Sequence, residues 1–176
     1  QARLDLYEAD FEADYLDQAL ALMEVMFERF QGAPGTAFRF TPEDRSSPLP
    51  ARIVLGEENV PSGNATALVA LQRLSLFGAA EKYRKRARAI IDGLAGYLHS
   101  SAPSSPGLMQ VLDFSPDEAR EIVIVGRLGG EDTRRLLGEV RKRLLPGTVL
   151  AVISPNAPEV NDRWPLLDRR PLLGDK

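Results

Sequence analysis

The chain has no cysteine, so disulfides and thiol chemistry are excluded within its 176 residues. It has one histidine, His99, so no histidine metal cluster can form, and no ligand spacing matches a zinc site. With that single histidine, beside Ser100 and Ser101 at a helix end, no Ser–His–Asp set assembles either. Positive charge is not in excess. Lysine and arginine number 22 against 25 acids, a net charge of −3, so there is no basic field of the kind that attracts nucleic acid. The basic runs at 82–86 and 141–143 are better read as solvated helix faces. No apolar run is long enough to span a membrane, and no secretory leader is expected.

What is there suffices for a core. Hydrophobic residues make up 44% of the chain, room for one domain or part of a larger one. The first residue is not Met and the last residues carry no capping element, so a fragment of something longer is expected. The stretch at 57–68 is the pivot. Pro61 disfavours helix at Val60 by crowding the preceding backbone. Ser62, Gly63 and Asn64 can each cap a helix. Behind them, Ala65, Leu68, Leu71, Gln72, Ser75 and Leu76 recur at helical spacing, with small residues that permit close packing.

In chain order, Leu4, Leu6 and Tyr7 end a first helix. A second covers 15–30, with Leu16, Ala19, Leu20, Met23, Phe27 and Phe30 on one apolar face. Residues 31–60 hold seven Gly or Pro positions and two strand-like pieces, 38–40 and 52–55; 42–48 is expected to be mobile. Helices at about 62–77 and 81–99 form a hairpin, with Gly78 as the stop. A Ser/Pro/Gly linker follows at 100–107, then a short helix at 108–114. The pattern changes at 121–126, a continuous β-branched run. An amphipathic helix at 131–145 should turn Leu136, Leu137, Val140 and Leu144 inward, and 148–153 completes a parallel strand–helix–strand unit. Residues 156–176 are expected to be an extended tail.

Few residues carry chemistry. The turn Gly126-Arg127-Leu128-Gly129-Gly130 lacks the dinucleotide spacing, and Glu131 and Asp132 would repel a pyrophosphate while suiting the helix dipole. Glu43, Asp44, Glu57 and Glu58 lie near the long loop. Paired carboxylates are what acid/base work on a sugar requires, and equally what a solvated loop contains. Ser62 and Asn64 either hydrogen-bond a ligand, or cap the helix, or both. The candidate substrate-binding residues are therefore Glu57, Glu58, Ser62 and Asn64. Catalytic residues stay unassigned, and no metal or cofactor is expected.

These segments together resemble a known family. Leu6-Tyr7-Glu8-Ala9, Tyr15-Leu16-Asp17-Gln18-Ala19, the Phe38/Thr41 segment, Val60-Pro61-Ser62-Gly63-Asn64-Ala65, Leu71-Gln72-Arg73-Leu74, Tyr83-Arg84-Lys85-Arg86-Ala87 and Ile122-Val123-Ile124-Val125-Gly126 occur in the order found in the C-terminal part of the YyaL family. That family includes the spermatogenesis-associated thioredoxin-domain proteins. The resemblance implies a mainly α fold: helical hairpins of an (α/α)6 toroid similar to N-acylglucosamine 2-epimerases over 1–107, a small α/β unit over 108–155, and a tail over 156–176. It implies a cytoplasmic protein whose partners are the remainder of the toroid and a thioredoxin-like domain, in the same chain or a separate one. A small sugar ligand in the cavity at the loop is the functional expectation. Membrane and nucleic acid are not expected as partners. The alternative is a non-catalytic domain that supports the thioredoxin-like module or binds protein, and whether the chain is itself an enzyme stays open. A toroid cut out of its ring should also leave Leu68, Leu71 and Leu74 seeking helices not contained here, or a second copy of the chain.

Overall fold

Helix α3 (Gly63–Phe77) carries apolar or small side chains on every side, and twelve of its fifteen residues are buried. A helix that is apolar all round must be covered all round. In this computed structural model, which describes residues 1–42, 51–57, 59–78, 80–114, 119–154, 164 and 166, the chain's own elements supply the cover. They are α1 (Ala2–Asp10), α2 (Asp14–Phe30), α4 (Ala80–Ser101), α5 (Pro106–Asp113) and strand β2 (Thr148–Ile153). Leu68 and Leu71 are 0% exposed and Leu74 1%. The expectation that these three reach for absent helices is therefore corrected: α3 is wrapped by the elements before and after it.

The buried donors of Gln72 and Arg73 on α3 find acceptors, as burial demands, while the Gln72 side-chain oxygen is buried without a partner among the described residues. The Arg73 guanidinium lies 2.5 Å from Asp5 and 3.1 Å from Glu8 of α1. The Gln72 amide donates to the Val111 carbonyl of α5 at 3.1 Å. Gly78 closes α3 with φ 146°, a backbone region open mainly to glycine. Periodicity predicts Tyr83, Ala87, Ile90, Ile91, Leu94, Tyr97 and Leu98 on the buried face of α4; Tyr83, Ala87, Ile90 and Leu94 are buried, and Ile91, Tyr97 and Leu98 are half-buried.

The sheet forms a second layer. Strand β1 (Arg120–Val125) pairs with β2 in parallel, from Arg120 opposite Thr148 to Val125 opposite Ile153. Side chains alternate between faces. Val149, Ala151 and Ile153 enter the helical core, while Ile124, Leu150 and Val152 meet Leu137 of α6 (Glu131–Arg141). Among the described residues the fold is thus mainly helical, six α-helices with a small two-stranded parallel sheet.

Two expectations fail here. Helix α6 ends at Arg141, so Leu144 lies beyond it and is 94% exposed; Leu136 is 55% exposed. Adjacent helical positions point to different sides, and Leu137 takes the inward one. The Arg141 guanidinium instead crosses to α1, donating to the Glu8 and Ala9 carbonyls at 3.0 and 2.7 Å. Glu43, Asp44 and Glu58 lie outside the described residues, as do most of 42–48 and the tail at 156–176. Trp164 and Leu166 are the described exceptions in that tail, and both are buried in the main core.

Candidate functional site

The long connection from α2 to α3 is held by single antiparallel contacts. Gln31 bridges Phe38, and Arg39 bridges Ile53. The two strand-like pieces therefore pair with each other, though only over one bridge and a Phe40 N–H to Arg52 carbonyl bond of 2.6 Å. A turn at 33–36 seats this loop on α4: Gly35, at φ 80°, brings its carbonyl so close that a Cβ at Gly93 would stand 2.7 Å from it.

The Pro61-Ser62-Gly63-Asn64 segment does the fastening. Ser62 is the N-cap of α3, its hydroxyl oxygen accepting from the Ala65 N–H at 3.4 Å. Asn64 is buried and acts as a substitute peptide group. Its Oδ1 accepts from the Phe38 N–H at 2.7 Å, and its Nδ2 donates to the Phe38 and Val54 carbonyls at 2.9 and 3.0 Å. One side chain thus ties both pieces of the loop to the start of α3.

Glu57 joins two helix starts. Its carboxylate accepts from the Ser62 N–H at 3.1 Å, just ahead of α3. It also accepts from the Gly107 N–H, in the first turn of α5, at 3.1 and 3.2 Å. Carboxylates are favoured where unpaired N–H groups and the positive dipole end of a helix converge. The Glu57 N–H donates to the Ser104 carbonyl at 2.9 Å, and Ser105 Oγ donates to the Leu55 carbonyl at 3.3 Å while bonding Tyr97 at 2.9 Å.

A cavity of about 620 Å³ opens where these pieces meet. Its walls are apolar: Phe30, Phe38, Phe40, Met26, Val54 and Val60. Its polar lining includes Ser62, Asn64 and Arg39. Glu57 stands behind this lining rather than in it, and no carboxylate belongs to the lining among the described residues. The structure thus brings Glu57, Ser62 and Asn64 together, with each bonded to backbone. The aromatic and aliphatic walls were not singled out from the sequence, although the alternation Phe38-Arg39-Phe40 marked the strand that carries two of them.

Elsewhere the chemistry is structural. Glu24 of α2 accepts from Lys82 at 2.6 Å, from the Tyr83 hydroxyl, and from Arg86 at 3.4 Å, all on α4. Partial burial pushes the Glu24 carboxyl up, but the Lys82 and Tyr83 hydrogen bonds and the Lys82 and Arg86 charges bring it below its ordinary value. Burial, with help from Glu24, raises the Tyr83 phenol. Lys85 pairs with Glu81 and Arg88 with Asp92, so the basic run at 82–88 is partnered by acids. His99 is exposed. Among the described residues no cluster of three or more potential ligands could hold a metal, and no helix is long and apolar enough to cross a membrane.

No protein-family model matches the chain. It is similar to curated proteins named spermatogenesis-associated protein 20. The Mus musculus protein is 25% identical over 148 residues, which cover 84% of this chain and 19% of that protein. The Rattus norvegicus and Homo sapiens proteins are each 24% identical with the same coverage. The chain thus spans about a fifth of the length of the curated relatives it matches.

Proposed function

We propose that this chain is the C-terminal helical and α/β portion of a larger cytoplasmic protein related to spermatogenesis-associated protein 20, and that it acts there as a non-catalytic supporting segment. In this reading 1–107 supplies the last hairpins of an (α/α)6 toroid and 108–155 an appended α/β unit. The remaining toroid and a thioredoxin-like domain are its partners. One observation carries the reading: Glu57, Ser62 and Asn64 direct their polar atoms at backbone groups of the loop and helix starts. Groups so engaged hold a wall in place; they are poorly disposed to move protons on a substrate. Leu22 and Val25 on the outer face of α2, 57% and 43% exposed, offer apolar surface on which further protein can pack.

A carbohydrate cavity is the second reading, favoured by the presence of Ser62 and Asn64 in the lining. Titration of the isotope-labelled chain with N-acetylglucosamine and N-acetylmannosamine separates the two. The supporting role predicts no saturable amide shifts, and a lowered melting temperature for Asn64→Asp and Glu57→Gln. Saturable shifts at Ser62 and Asn64 would transfer the conclusion to the sugar reading.

A further inference from the structure

Helix α2 is covered on one side only. Leu16, Ala19, Met23 and Phe27 enter the core beside α1 and α3. The opposite side carries Gln18, Ala21, Leu22 and Val25, all exposed, Leu22 by 57% and Val25 by 43%. Steps of three and four residues set these on one stripe of the helix, with Asp14 at its start and Arg29 at its end. A contiguous apolar stripe left in water marks a surface on which protein packs.

The charges at the two ends say what covers it. Asp14 lies in the first turn of α2 and Arg29 in the last, and both are exposed. Among the described residues neither has an ion-pair partner, whereas Lys82, Lys85 and Arg88 on the neighbouring α4 are each paired. From position 14 to position 29 is about 22 Å along a helix. A helix with an acid at its start and a base at its end complements itself only when reversed. Turned antiparallel about a two-fold axis at Ala21 and Leu22, two copies of α2 bring Arg29 of each to Asp14 of the other, with the helix dipoles opposed. Parallel pairing sets like charge against like charge. We propose that the outer face of α2 binds a second copy of this chain, antiparallel, through Leu22, Val25 and two Asp14–Arg29 pairs. The inference stands on this face alone and is independent of the supporting role proposed above. A single helix face is smaller than the roughly 800 Å² per partner of a standard interface, so the dimer is weak and depends on concentration.

Sedimentation equilibrium of the full chain, from micromolar to millimolar concentration, tests it. The average mass should rise from 19.4 kDa toward twice that value and no further. Leu22→Lys and Val25→Lys should each abolish the rise. Arg29→Glu and Asp14→Lys should each weaken association about tenfold, since either reversal places two like-charge pairs in the dimer. The double variant Asp14→Lys/Arg29→Glu should restore it, which a general loss of packing would not allow. A mass that stays at 19.4 kDa throughout would overturn the proposal and leave this face to a different protein, with the supporting role standing. A dimer that persists in Leu22→Lys, a double variant no tighter than the single ones, or growth beyond a dimer would overturn it as well, by placing the contact elsewhere.

Discussion

Two helix starts in this molecule look alike in sequence and differ in construction. Both α3 and α6 follow a strand-like piece and a short run containing glycine. At α6 the contacts are local: the Gly130 N–H donates to the Arg127 carbonyl at 2.8 Å, and Gly126 lies tight against the buried Thr133. At α3 they are distant. Asn64 reaches Phe38 and Val54, and Glu57 reaches Gly107 across 50 positions. The first arrangement only turns the chain. The second fastens the described pieces of the connection between α2 and α3, around Phe38 and Val54, and a cavity results. The comparison shows that capping residues mark a helix start in either case, while the cavity depends on what else their side chains hold.

The sharpest way to break the contrast is Asn64→Asp. The carboxylate cannot donate to the Phe38 and Val54 carbonyls, and a buried charge is left among acceptors. Unfolding by urea should show a loss of about 3 kcal/mol, with α6 unaffected in exchange measurements. Gly107→Ala comes next. An added Cβ would collide with the Glu57 carboxylate and stand 3.0 Å from Ala65 Cβ, so the joint between α3 and α5 must shift. A cost of about 2 kcal/mol is expected in the same assay. The corresponding local change, Asp132→Asn at the start of α6, removes only a favourable dipole interaction and should cost about 0.5 kcal/mol.

The Glu24 cluster sharpens the comparison through pH. The folded Glu24 carboxyl lies below its ordinary value of 4.5. Its contribution is therefore present above pH 4.5 and is lost as pH falls through the lowered folded value. Tyr83 runs the other way: its raised phenol contributes below pH 10.0 and loses that contribution as pH rises further. With the Glu24 side chain 41% exposed, solvent screening keeps the acid effect small. Urea titrations of Glu24→Gln should lose the acid-side slope while the loop at α3 keeps its amide protection.

The sequence makes the elements legible and their partners much less so. Pro61, Ser62 and Gly78 bracket α3 because each acts on its own backbone, and the β-branched runs mark both strands. Leu144 is misread because the apolar pattern runs on past the helix end at Arg141, and Leu136 because two adjacent helical positions cannot both face the core and Leu137 takes that side. The expectation that Leu68, Leu71 and Leu74 seek absent helices follows from the resemblance to a ring of hairpins, and periodicity alone cannot correct it, since it does not say which element provides cover. Ser62 was legible as a cap from three residues of context. The Asn64 latch was not, since Phe38 lies 26 positions away and Val54 ten. Nothing local distinguishes an asparagine that binds a ligand from one that replaces a peptide group.

Hydrogen exchange at the Phe38 amide tests the central claim most directly. If Asn64 holds the loop to α3, this amide exchanges as slowly as the buried amides of α3, and Asn64→Asp changes it selectively. Exchange at the rate of an unprotected loop amide would contradict the account, leaving the cavity without its fastening.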